Sequence, residues 1–170
     1  EINYIWPHAY SFEAMDGNVE GFTYPAIDGV KLYNYICMAE NMVYNDEPEQ
    51  ERLSTLFHEL GHYLGLPDLH NTVDVADGEW QYYAVGVMSL MDQGCWGRTA
   101  DGSPTSYSLD VWSRYALGWL DAEKITKSGT YTVSGDDYSE KTENPRLYYM
   151  AGLNEGEYYL VENHRFTGWD

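Results

Sequence analysis

The run His58-Glu59-Leu60-Gly61-His62-Tyr63-Leu64-Gly65-Leu66-Pro67-Asp68 dictates a helix and also where that helix must stop. Residues four apart share one helical face, so His58 and His62 bring two imidazoles within reach of a single ion about 2 Å away, with Glu59 beside them. Gly61 permits close approach between the histidines, at a cost of about 1 kcal/mol in helix propensity relative to Ala. Gly65 suits the left-handed conformation that ends a helix, Pro67 fixes the outgoing direction, and Asp68 then returns toward the histidines. Two imidazoles and a carboxylate suit Zn2+, and zinc lowers the pKa of bound water from about 15.7 toward roughly 7, which gives Glu59 a feasible task as general base. Asp68 is the expected third metal ligand. His70 is the alternative metal ligand, because imidazole also binds zinc well.

The helix is expected to begin near Pro48 and Glu49, where Glu49 and Glu51 favour its positive end. Leu53, Leu56, Phe57 and Leu60 recur at spacings of three and four, so Leu53, Leu56 and Leu60 are read as the core stripe and the histidines as the opposite, chemical face.

His58 through Asp68 resembles the long zinc-binding signature of the metzincin clan in the version ending in Asp. Gly65-Leu66-Pro67-Asp68-Leu69 is similar to the immune inhibitor A family of secreted bacterial metallopeptidases. Val87-Met88-Ser89-Leu90-Met91-Asp92-Gln93-Gly94-Cys95-Trp96 resembles that family's methionine turn, with Met91 at the methionine position and Met88 as the alternative. Tyr115-Ala116-Leu117-Gly118-Trp119-Leu120 and Glu157-Tyr158-Tyr159-Leu160-Val161-Glu162-Asn163 resemble later segments, so the resemblance runs from about Tyr33 to the end. It departs at His70, where the family commonly has Tyr.

The resemblance implies an α+β zincin catalytic domain with a twisted sheet, an active-site helix and a methionine turn whose thioether forms a floor beneath the metal without binding it. It also implies secretion to the extracellular space, an activation peptide upstream and sheet-rich domains downstream. The expected organisation is a metallopeptidase catalytic domain over 1–125 and a β-rich extension over 126–170. Because the chain stops at Gly168-Trp169-Asp170 directly after a strand-like run, a fragment of a longer protein is expected.

Upstream, Val30 to Met38 reads as one strand, placed where an exposed edge would align an extended substrate through its backbone. Ile2-Asn3-Tyr4-Ile5-Trp6 reads as another, broken at Pro7, with His8 as a local hydrogen-bonding residue. Downstream, 106–119 reads as a helix capped at Ser106 or Ser108, ended at Gly118, and burying Leu109, Trp112 and Ala116. Strands are expected at 129–134, 147–150 and 157–162, with an acidic turn-forming stretch from Gly135 to Pro145. The polar loop containing Asn71, Asp74, Asp77, Gly78 and Glu79 offers oxygens to a structural Ca2+, although its spacing is not that of an EF-hand. Asp92 is read as a fastener that accepts backbone hydrogen bonds within the turn.

With 28 acidic against nine basic residues the formal charge is -19, which disfavours nucleic acid and anionic membranes and favours cationic partners. A protein or peptide substrate, basic ones included, is therefore expected. No long apolar segment offers a membrane anchor, and a monomer is expected. Cys37 and Cys95 are too few for a sulfur-only zinc site and leave two readings open, one disulfide or two free thiols. The leading function is a zinc-dependent endopeptidase. The alternatives are a non-catalytic peptide-binding module with structural zinc, distinguished by a closed four-ligand site, and a peptidase selective for one partner protein.

Overall fold

Short strands fill the chain ahead of the histidine helix. The structure is a computed structural model and describes residues 6–16, 18–44, 47–71, 85–135 and 142–164, a mixture of α and β elements. These fall into two compact units, 1–107 and 108–170. Of the expected features, the strand at Ile2 to Ile5, the calcium-loop residues Asp74, Asp77, Gly78 and Glu79, and most of the acidic stretch after Gly135 lie outside the described residues.

In the first unit, β1 (His8–Ser11) pairs antiparallel with β4 (Asn34–Cys37) in the register His8 to Cys37 and Ser11 to Asn34. The expected strand from Val30 to Met38 is in fact two strands. Its first part, β3 (Val30–Lys31), folds back on β2 (Ala26–Ile27) through Asp28-Gly29, both at positive φ, the pairing a tight two-residue hairpin turn requires. His8 is a local hydrogen-bonding residue as expected, with Nδ1 2.8 Å from the Trp6 carbonyl and Nε2 3.3 Å from the Tyr35 hydroxyl.

β5 (Asn41–Tyr44) and β6 (Glu47–Gln50) form a second antiparallel pair, and β6 corrects the expected helix start. Pro48 and Glu49 are strand residues, Pro48 opposite Val43, and α1 begins only at Leu53 (Leu53–Tyr63). A proline has no amide hydrogen to give a ladder, and an edge strand of a two-stranded sheet does not need one from it.

The core stripe is corrected too. Leu53 is 68% exposed, Leu60 is also exposed and Leu56 is half-buried, whereas Ser54, Thr55, His58, Glu59 and Gly61 are buried. Small side chains on that face let α1 come close to the 3-10 turn at Gln93–Trp96, and its polar groups are answered there: Ser54 Oγ donates to the Cys95 carbonyl at 2.7 Å. Beside it, Arg98 pairs with Glu49 at 2.6 Å, and the buried Arg52 lies 3.6 Å from Glu49 and over the Trp96 ring. Close approach and satisfied polar groups, more than hydrophobic periodicity, select the inner face of this helix.

In the second unit, α2 (Val111–Ala116) is shorter than the helix expected over 106–119. Asp110, not Ser106 or Ser108, caps it, accepting from the Ser113 amide at 3.0 Å and the Ser113 hydroxyl at 2.6 Å. Ser113 is its buried residue and Ala116 is exposed, while Gly118 at φ 71° ends the helix as expected. β8 (Leu147–Ala151) lies between β7 (Glu123–Lys124), parallel, and β9 (Tyr158–Glu162), antiparallel. The strand expected at 129–134 does not form, and β7 was not expected from the sequence. Arg114 on α2 reaches Glu162 on β9 at 2.6 Å.

Candidate metal centre

Gly65, at φ 98°, ends α1 in a closed geometry: the Gly65 amide donates to the His62 carbonyl at 2.9 Å and the Leu66 amide to that of Gly61 at 3.0 Å. These two bonds satisfy carbonyls that a helix end otherwise leaves open, and they reverse the chain within three residues. Asp68 is thereby returned to the histidine face. Its Oδ1 stands 3.1 Å from His58 Nε2 and 3.3 Å from His62 Nε2, and the two Nε2 atoms are 3.1 Å apart.

The other nitrogen of each ring is spoken for. His58 Nδ1 lies 2.8 Å from the Leu90 carbonyl and His62 Nδ1 2.9 Å from the Leu66 carbonyl. A carbonyl only accepts, so each Nδ1 carries the proton, and in the neutral ring each Nε2 presents a bare lone pair. Three lone-pair atoms then face one another, an arrangement that a proton or a metal cation must resolve. Ligands about 2 Å from one ion at tetrahedral angles stand about 3.3 Å from each other, close to the separations found. The His58, His62 and Asp68 cluster can coordinate a metal ion, its donor atoms lying within 4.8 Å of one another.

His70 does not join that cluster. Its Nδ1 is 3.7 Å from Asp68 Oδ1, buried and without a hydrogen-bond partner among the described residues, beside the three converging groups but not one of them.

Without a metal the cluster holds protons. Burial draws His58 down, but hydrogen bonding to Asp68 and its other partners prevails and holds the imidazole at about 10. Bonding to Asp68 likewise raises His62, against burial. For Asp68, burial works to raise the carboxyl, and the two imidazoles outweigh it and hold it well below the usual carboxylate range. An imidazole whose pKa is raised on folding stabilises the fold fully below its ordinary value of 6.5, and that contribution fades as pH climbs toward 10. A depressed carboxyl acts in the opposite sense: its contribution is present above the ordinary 3.8 and is lost as pH falls below it. A divalent ion needs the imidazoles unprotonated, so its binding releases protons and tightens over the same rise in pH. The unfolding temperature of metal-loaded chain should therefore exceed that of chelator-treated chain by a margin that widens from pH 6.5 upward; a margin independent of pH would contradict this.

Two further residues frame the centre. Glu59 is 6% exposed, and its carboxylate makes no hydrogen bond or ion pair with any described residue. It opens on a cavity of about 340 Å³ that His58 and His70 also line. Met91 is fully buried under α1, its thioether filling the space that a Cβ at Gly61 would need. Gly61 is thus required by Met91, whereas the sequence suggested a role in the approach of the two histidines. The residues around Met91 tie the parts together: Leu90 receives the His58 ring, and the Met91 carbonyl accepts from the Leu69 amide at 2.8 Å. Asp92 fastens the turn as expected, Oδ2 accepting from the amides of Val85 at 2.9 Å and Gly86 at 2.7 Å.

The sequence reading missed the carbonyls of Leu90 and Leu66, which set the tautomer of both imidazoles. Every residue carries a carbonyl, so no side-chain signal marks them. Cys95 was read as half of a disulfide or a free thiol; both it and Cys37 are free, and Cys95 lines the Glu59 cavity.

The family model described as immune inhibitor A peptidase M6, catalytic domain, matches residues 2–120. The chain belongs to this family. The match starts well before Tyr33, where the resemblance was first legible, and ends at Leu120. A curated relative, immune inhibitor A of Bacillus thuringiensis subsp. alesti, is 39% identical over 66 residues, which is 38% of this chain and 9% of that protein. No solved structure matches the chain. Membership supports a metallopeptidase-type function, and among the described residues no helix is long and apolar enough to cross a membrane.

Proposed function

We propose that the chain carries the catalytic centre of a zinc-dependent endopeptidase, with His58, His62 and Asp68 as the metal ligands and Glu59 as general base. One observation carries the reading: two imidazoles tautomerically fixed by carbonyls and one carboxylate converge within 4.8 Å, beside a buried carboxylate that no other described residue engages. Zinc bound there supplies a Lewis acid that polarises the scissile carbonyl and acidifies the attacking water. Glu59 takes the proton as the water oxygen bonds to the carbonyl carbon, then gives it to the departing nitrogen as the carbon–nitrogen bond breaks. The Leu90 and Leu66 carbonyls hold both imidazoles with Nε2 toward the centre throughout. Among the described residues no fourth donor joins the cluster, which favours a centre open to substrate over a closed, structural one.

In the same reading α1 is the active-site helix of a metzincin-like domain and Met91 the methionine of its turn. The catalytic domain runs over 1–125 with a β-rich extension over 126–170; the family match ending at residue 120 supports that division, although compactness groups α2 with the C-terminal sheet. Family membership also supports action outside the cell on protein or peptide substrates.

The test is a peptide-library digest with zinc-loaded chain and its Glu59→Gln variant, metal content measured on both. Hydrolysis confined to the unmodified chain is the expected result. Equal hydrolysis by both would remove Glu59 from the mechanism. The ligand assignment has its own check in zinc competition against a chromophoric chelator. Asp68→Ala should weaken binding by more than about 100-fold, and His70→Ala by no more than the roughly 10–100-fold typical of an outer partner. The reverse order would make His70 the ligand.

A further inference from the structure

We propose that the cavity beside Glu59 receives the cationic side chain of a lysine or arginine next to the scissile bond, with Asp92 as the residue that selects it. This deepens the peptidase reading and rests on it. Asp92 lines the cavity, is 1% exposed, and has one oxygen, Oδ2, engaged by the Val85 and Gly86 amides. Its other oxygen, Oδ1, is buried with no hydrogen-bond partner among the described residues. A buried carboxylate oxygen calls for a donor, and none of the described residues lining the cavity bonds to Oδ1 or carries a lysine or arginine charge.

The walls suit a cation on an apolar stem. Trp6 and Trp96 line the cavity with ring centres 5.9 Å apart, and Arg52 already lies 5.6 Å from the Trp96 ring, so that ring accepts a guanidinium on one face. Both carboxylates of the cavity, Glu59 and Asp92, repel an acidic side chain. An aliphatic one would fill the space and leave Oδ1 dry and unpaired. Glu59 is reserved for the proton of the attacking water, which leaves Asp92 as the counter-charge. The formal charge of -19 favours encounter with basic peptides over acidic ones.

Asp92→Asn separates charge from shape, since the amide oxygen still accepts from Val85 and Gly86 while the negative charge is gone. Agmatine, which is decarboxylated arginine with a guanidinium at one end and an ammonium at the other, should bind the unmodified chain at least tenfold more tightly than Asp92→Asn in a calorimetric titration, with uncharged butylurea indifferent to the change. Equal agmatine binding by both, with the variant shown to be folded by its thermal transition, overturns the proposal. In the zinc-loaded library digest, cleavage beside Lys or Arg should exceed cleavage beside Leu, and Asp92→Asn should reduce that ratio at least tenfold. N-terminally acetylated peptides should be cut as well; if acetylation abolishes cleavage, the cation recognised is the chain's terminal ammonium and the side-chain assignment fails. Hydrolysis that is lost in Glu59→Gln but shows no basic preference overturns the pocket and leaves the peptidase reading standing. Absence of hydrolysis overturns that reading, while agmatine still decides whether the cavity takes a cation.

Discussion

Replacing Glu59 by Gln should lower peptide turnover by about 10²–10⁴-fold, the usual worth of a positioned general base, while zinc content stays unchanged. The two halves of this expectation have separate origins. Metal retention follows because Glu59 is not among the three converging donors, whose positions are set by the helix turn between His58 and His62 and by the Gly65 reversal. Loss of turnover follows because the amide is close to isosteric with the carboxylate but does not take up a proton near neutral pH. The fold should be untouched as well, since the Glu59 carboxylate has no described partner to lose. Kinetics at fixed zinc occupancy, combined with metal analysis, checks both. A variant that loses its zinc would place Glu59 in the metal shell.

Met91→Ala should cost about 2–5 kcal/mol of stability, as for other fully buried methionines truncated to alanine. More than a cavity is at stake, because the carbonyls on either side of this side chain's backbone hold the His58 ring and the Leu69 amide. Zinc affinity should therefore fall with stability even though the thioether contributes no bond to the metal. Gly61 supplies an internal control. In the unmodified chain, Gly61→Ala overpacks against Met91 at a cost of about 1–3 kcal/mol, offset by a helix-propensity gain of about 1 kcal/mol. With Met91 already cut to alanine the overpacking disappears and only the gain remains, so Gly61→Ala should then stabilise. Denaturant unfolding of the four chains measures the coupling, and strict additivity would mean that the two residues do not share this space.

Much of the centre could be read from the chain because its geometry is local. The spacing of His58 and His62, the stop at Gly65 and the return of Asp68 all arise within eleven consecutive residues, where backbone preferences govern with little help from elsewhere. The misreadings lie where a distant partner outweighs local preference. Leu53 and Leu60 looked like core by their spacing, but α1 turns its small and polar face inward because Ser54 and His58 find carbonyls at Cys95 and Leu90. Pro48 and Glu49 looked like a helix start, and pairing with Val43 and Met42 made them a strand. Asp110, expected within the helix interior, instead caps the shorter α2 through its bond to Ser113.

By itself the sequence determined which atoms are offered to a metal and in what order along the helix, since periodicity and one glycine suffice to bring two imidazoles and a carboxylate together. Tertiary structure decided which nitrogen of each imidazole faces the centre, why residue 61 must lack a side chain, and which carboxylate oxygen of the Glu59 cavity has no partner among the described residues. For His58 and Gly61 those outcomes depend on the Leu90 carbonyl and the Met91 thioether, contributed by another segment, and the identity of a side chain carries no record of what will be packed against it.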